Sequence, residues 1–319
     1  MPLALACASH SPLMKDGYCP NDLRDAVTKG FAELAATVRA FGPDLVIQFS
    51  PDHFNGFFYE LMPTFCVGVA AESLGDWGTE AGCLDVPQEE AASLARSLIE
   101  AEFDIATSYR MKVDHGFVQI WENLFGTAKG LKLIPVFINA AAPPLPSFHR
   151  ARLLGEAVGR YALATGKRIL IVASGGLSHD PPTPALKTAT PEVRERLIIP
   201  QAPTPEAHAA RHARVLAASA AVLAGGPSIL PVSEDWDRAF LSSLAAGRWD
   251  AYDNLSTNDL VTIAGRGGPE VLCWVAAFAA AAMAGPLTMK THFYAPIQGW
   301  ITGMAIVSAA TTTANEGRQ

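Results

Sequence analysis

Short apolar runs alternate along the chain with longer amphipathic segments, the pattern of an α/β domain. The runs at residues 3–8, 45–49, 65–69, 133–138 and 168–173 predict buried strands. The amphipathic stretches predict helices over residues 22–41, 89–101, 117–124, 148–164, 206–223, 236–246 and 270–284. Segments 213–224 and 276–284 are rich in alanine, which raises helix propensity and allows close packing. No repeat of 20–50 residues is evident. The proline-rich stretch 181–205 predicts an irregular excursion of the lid type rather than a domain boundary, and 311–319 a frayed tail. The expected architecture is a single α/β domain over 1–319, with a central mostly parallel or mixed sheet flanked by helices.

Composition narrows the function. A chain of 319 residues buries an ample core without disulfides or a structural metal. With 24 basic and 31 acidic residues the net charge is −7, so there is no general basic footprint for nucleic acid. The five cysteines are odd in number and contain no C-x-x-C pair, which points to a reducing cytoplasm and away from a thiolate zinc site. The opening Leu3-Ala4-Leu5-Ala6-Cys7 lacks the basic flank and length of a signal peptide and reads as the first strand. The longest apolar segment, 272–284, is shorter than the ~18 residues a membrane span needs. No membrane association is expected.

The histidines carry the chemistry. Three predicted strands each run into a polar turn with one imidazole: Ser9-His10-Ser11-Pro12, Ser50-Pro51-Asp52-His53-Phe54-Asn55-Gly56 and Ser174-Gly175-Gly176-Leu177-Ser178-His179-Asp180-Pro181. In open α/β sheets ligands bind beyond the carboxyl ends of strands, so parallel, neighbouring strands would point His10, His53 and His179 into one pocket. Any one of them alone reads as a hydrogen-bonded loop residue; three in equivalent positions are harder to dismiss. A fourth, His115 in Val113-Asp114-His115-Gly116-Phe117, lies at a loop-to-helix junction. There Asp114 is either the N-cap of the next helix or the group that orients His115 for acid–base work. His149, His208 and His212 fall on helices among charged residues, and His292 sits beside Phe293 and Tyr294.

Two neutral imidazoles and one carboxylate suit a non-haem Fe(II), and equally a catalytic zinc. His10 and His53 are the natural pair, and Glu270, at the start of an apolar helix, is the most suggestive acid. It could instead only complement the helix dipole. The chain has no G-x-G-x-x-G after a strand, P-loop, H-E-x-x-H or G-x-S-x-G.

At these motifs, together with Asn55-Gly56-Phe57-Phe58-Tyr59, Pro135-Val136-Phe137-Ile138-Asn139 and Trp274-Val275-Ala276-Ala277-Phe278, the chain resembles the class III (LigB-type) extradiol ring-cleaving dioxygenases. The resemblance implies that His10, His53 and Glu270 ligate Fe(II), that His115 is the proton donor assisted by Asp114, and that His179 is the proton acceptor. It further implies dioxygen and a catechol bearing a three-carbon acid as substrates, and a homo-oligomer of four or more subunits. The acid side chain needs a cationic partner, for which Arg110, Lys112, Arg152 and Arg266 are available. A zinc-dependent hydrolase using the same three ligands is the alternative reading.

Overall fold

The computed structural model describes residues 2–200, 204–226 and 229–311. In chain order its strands are β1 (Leu3–Ala8), β2 (Leu45–Ser50), β3 (Phe65–Gly68), β4 (Ala71–Leu74), β5 (Ala81–Cys83), β6 (Ala106–Ser108), β7 (Met111–Val113), β8 (Leu133–Ile138), β9 (Ile169–Ser174), β10 (Leu287–Ile297) and β11 (Thr302–Thr311). Its helices are α1 (Asn21–Phe41), α2 (Gln88–Glu100), α3 (His115–Phe125), α4 (Phe148–Ala164), α5 (Pro191–Ile198), α6 (Pro205–Leu223), α7 (Glu234–Ala245), α8 (Thr257–Ala264) and α9 (Val271–Ala282). The main sheet runs β10-β11-β1-β9-β2-β8-β3-β6, and a small sheet runs β5-β4-β7. β1, β9, β2 and β8 are mutually parallel, whereas β8–β3, β1–β11 and β10–β11 pair antiparallel. The sheet is therefore mixed, with a parallel centre.

The parallel centre is fully buried, which is why its strands read as continuous apolar runs rather than alternating ones. Beneath one face lies α9, buried along almost its whole length. Helix α4 packs on it through Gly155 and Gly159, one turn apart, where an added Cβ would overlap the carbonyl oxygens of Ala276 and Ala280. That close approach seats the start of α9 at the carboxyl ends of the central strands.

Three expectations need correction. Residues 287–311 form the long hairpin β10–β11 on the edge of the sheet, and Thr311, expected in a frayed tail, closes β11; 312–319 lie outside the described residues. The helix at 257–264 was absent from the apolar pattern. The excursion after Pro181 contains α5, whose end is pinned where the Leu197 and Ile198 carbonyls accept from the Tyr59 and Glu60 amides at 2.9 and 2.8 Å. Its residues 201–203 are outside the described set. All five cysteines are free, and among the described residues no helix is long and apolar enough to cross a membrane.

Candidate active site

Because β1, β9 and β2 are adjacent and parallel, the turns that follow them bring His10, His179 and His53 to one crevice, with Glu270 facing them from the start of α9. His10 Nε2 lies 3.6 Å from Glu270 Oε2, while His53 Nε2 and His179 Nε2 lie 3.1 and 3.0 Å from Oε1. Oε2 also accepts from the Gly176 amide at 2.9 Å. Glu270 is only 2% exposed, so it is no surface partner of a helix dipole. His115 joins the group from the start of α3, stacked on His53 at 4.6 Å and edge-on to His10 at 5.3 Å. Ring nitrogens of His10, His53 and His115 all fall within 4.8 Å of one another. Chain segments far apart in sequence thus converge on one buried point.

The outer nitrogen of each ring is engaged. His10 Nδ1 meets Ser174 Oγ at 3.0 Å, His53 Nδ1–H donates to Asp114 Oδ2 at 2.9 Å, and His179 Nδ1–H donates to the Leu177 carbonyl at 2.9 Å. A donating Nδ1 leaves the Nε2 lone pair directed inward. Inward lone pairs facing a carboxylate repel it unless a proton or cation lies between. The imidazole nitrogens of His10, His53 and His179 around the Glu270 carboxylate make a donor set that fits a divalent metal ion.

The electrostatics follow from the same crowding. Burial pushes the His10 imidazole down to about 3, against the pull of Glu270. Burial also opposes charge on His53, but Asp114 and Glu270 outweigh it and raise that imidazole well above its ordinary value. At His179 burial is likewise overcome by Glu270, and the shift is upward. Burial would raise the Glu270 carboxyl; His179, His10 and His53 hold it well below the usual range instead.

The expected service of Asp114 to His115 takes another form. Asp114 Oδ2 is 4.0 Å from His115 Nδ1; it accepts instead from the His53 amide, from His53 Nδ1–H and from Asn55 Nδ2, at 2.9, 2.9 and 2.8 Å. Its Oδ1 caps α3 through the Gly116 amide at 2.9 Å. An N-cap side chain is turned back over the first helical turn, and here that direction leads to His53. The group that holds His115 is Asp76, whose Oδ1 accepts from the His115 amide and Oδ2 from Nδ1–H, each at 2.7 Å. Asp76 lies in Gly75-Asp76-Trp77-Gly78, where three residues have positive φ; the flanking glycines were the available sequence signal.

Other residues shape the turns. Asp52 accepts from the amides of Asn55, Gly56 and Phe57, closing the loop that presents His53. Asp237 of α7 accepts from the Ser178 amide at 2.8 Å and from the Tyr294 hydroxyl at 3.0 Å, bracing the His179 turn. Trp274 Nε1 donates to the Gly175 carbonyl at 2.9 Å, tying α9 to that turn. A Cβ on Gly267 would overlap the His179 ring, so only glycine lets this segment lie so close. Of the cations available for a substrate acid, Lys112 is paired with Glu72, Arg152 with Asp253 and Glu156, and Arg266 with Asp180.

Comparison with known proteins places this geometry. Residues 4–305 match the family described as the catalytic LigB subunit of aromatic ring-opening dioxygenase. The chain is 46% identical over 312 residues to a 2,3-dihydroxyphenylpropionate/2,3-dihydroxicinnamic acid 1,2-dioxygenase of Cupriavidus pinatubonensis, covering 97% of this chain and 98% of that protein. It is 46% identical over 303 residues to the enzyme of the same name from Paraburkholderia xenovorans, covering 94% and 95%. The crystal structure of an uncharacterized Escherichia coli K12 protein superposes with a TM-score of 0.55 at 12% identity, over 95% of this chain and 98% of that one, and speaks for the fold alone. Match and site together show that the chain belongs to the LigB family of extradiol, aromatic ring-opening dioxygenases.

Proposed function

We propose that this chain is a ferrous extradiol dioxygenase of aromatic catabolism, cytoplasmic and homo-oligomeric with four or more subunits. Its substrates are 3-(2,3-dihydroxyphenyl)propanoate and the matching 2,3-dihydroxycinnamate. The propanoate gives a 2-hydroxy-6-oxonona-2,4-diene-1,9-dioate-type product that retains every atom of the catechol and of O2. The reading is carried by the convergence of His10, His53 and Glu270, with His115 and His179 beside them. The substrate is that named for the relatives. Hydrolysis by zinc at the same ligands is not favoured in a ring-opening family.

His10, His53 and Glu270 would hold the iron, and the chemistry it would supply is a path for electron density from an electron-rich ring to dioxygen, whose triplet state otherwise reacts slowly with closed-shell molecules. The protein supplies protons and exclusion of water. His179, with its Nδ1–H committed to Leu177, has Nε2 to accept a proton from a catechol hydroxyl. His115, anchored at Nδ1 by Asp76, holds a proton at its other nitrogen for the oxygen released as the O–O bond breaks.

The test is anaerobic loading with ferrous iron, then an oxygen-electrode assay. Holoprotein is expected to consume one O2 per catechol and to form a yellow product. His115→Gln and His179→Gln should retain iron yet lose about 10²–10⁴-fold in kcat, whereas His10→Ala should lose the iron. A ferrous protein that leaves every catechol intact in air overturns the reading.

A further inference from the structure

A cavity of about 550 Å³ opens beside the His179 turn. Its wall begins at Pro182, three residues beyond that histidine, and includes Arg266, next to the glycine that lies against the His179 ring. The opposite wall is α6, which contributes Arg214, Ala217, Ala218 and Ala221. These four fall at helical spacing with Arg211, so they share a face. Helix α6 is strapped across this end of the molecule at two points. Arg211 donates to Asn55 Oδ1 at 2.9 Å and to the His53 carbonyl at 3.4 Å, and Ser219 Oγ donates to the Gly299 carbonyl at 2.7 Å. Arg214 and the alanines hang between the straps, over the cavity.

One of the two cations on this wall is paired and the other is not. Arg266 is chelated by both oxygens of Asp180, so its charge is already answered. Among the described residues Arg214 has no hydrogen-bond or carboxylate partner, and Arg211 meets only neutral acceptors. Burial and the neighbouring guanidinium groups of Arg211 and Arg196 weigh against the charge on Arg214. In a chain of net charge −7, Arg214 is the cation on this largely apolar wall without a protein partner among the described residues, exposed and open to an anion.

We infer that this cavity is the subsite for the substrate's side chain, with its methylenes against the alanines of α6 and its terminal carboxylate on Arg214, supported by Arg211. The inference rests on the functional reading above and adds the residue that selects an aryl-alkanoic acid over an uncharged catechol.

The experiment compares the wild type with Arg214→Gln and Arg214→Lys on 3-(2,3-dihydroxyphenyl)propanoate and on 3-ethylcatechol, which keeps the ring and drops the charge. Arg214→Gln is expected to lower kcat/KM for the acid about 10–100-fold, mainly through KM, and to change 3-ethylcatechol by less than about threefold. Arg214→Lys should recover part of the loss. Calorimetric titration with 3-phenylpropanoate, which has no hydroxyls, should show the same weakening without any turnover. Equal losses on both catechols, or unchanged preference for the acid, overturn the inference while leaving the dioxygenase reading intact. If the wild type turns over neither catechol, that reading fails and the 3-phenylpropanoate titration alone decides the subsite.

Discussion

At the residue scale the structure divides labour between two aspartates that adjoin different histidines. Asp114 is next to His115 in sequence but grips His53 from outside, whereas Asp76, 39 residues away, grips His115. Sequence adjacency pointed to Asp114 beside His115, whereas the shorter contact to that ring comes from Asp76, because an N-cap side chain turns along its helix's first turn. The imidazoles and Glu270 were legible, each being a polar residue at the end of an apolar run; Asp76 sits in a tight turn with no such frame. Asp76→Ala is therefore expected to lower kcat about 10–100-fold at full iron occupancy, and Asp114→Ala to weaken iron retention by a similar factor, as removal of partners behind metal ligands does. Iron content and kcat measured on both variants check this, and reversed outcomes would return the Asp114–His115 pairing. Asp237 gives a separate test through pH. Burial raises its carboxyl from 3.8 to about 6. A raised acid contributes stability below its unfolded value, and that contribution is lost as pH climbs through the folded value. The wild type should thus lose about 3 kcal/mol relative to Asp237→Asn between pH 4 and 7. Urea midpoints of the two proteins at both pH values measure the difference, and parallel curves would sink it.

At the scale of elements, legibility followed burial. The central strands were readable because both faces are covered and apolar residues run without interruption, and α4 because its apolar positions recur at helical spacing on one face. β10 was not: Lys290, His292 and Pro296 interrupt it, and its burial alternates only weakly. β11 is buried through Ala309 but built on Gly303, Ala305, Ser308 and Ala309, small residues that look like loop. The hairpin nevertheless matters to the site, because the Ser9 hydroxyl, beside His10, donates to the Gly303 carbonyl at 2.8 Å and Tyr294 braces Asp237. α9 is the element on which the carboxylate depends, and its position is set by the glycine face of α4. Gly155→Ala would push a methyl into the Ala276 carbonyl. Overpacking of this kind is expected to cost about 1–3 kcal/mol, lowering Tm by several degrees. Displacement of Glu270 should reduce iron affinity in the same variant. Gly166→Ala, in an open turn with nothing near the added carbon, is the control: it strains its own backbone at φ 69° but should leave iron affinity unchanged.

At the scale of the whole molecule the site is a junction. β1, β2 and α9 each bring one proposed ligand; His10 and His53 each face Glu270 and meet one another edge-on at 5.3 Å. An ion bound by all three would staple the parallel centre of the sheet to the helix beneath it, and only the folded chain presents that donor set. Binding linkage then adds about 3 kcal/mol of stability when free ferrous iron is 100 times its dissociation constant. For a domain of this size that corresponds to a rise in Tm of about 4 °C. Anaerobic calorimetry with added Fe(II), and again after a chelator, measures the shift and its reversal. Glu270→Gln and His53→Ala are each expected to abolish it, since loss of one ligand breaks the link between sheet and helix. His179→Gln should keep most of it, because that ring faces Glu270 as a proton carrier in the proposed mechanism. A shift preserved in Glu270→Gln but lost in His53→Ala would place the ion on the three-histidine group of His10, His53 and His115, and one lost in His179→Gln alone would make His179 a ligand.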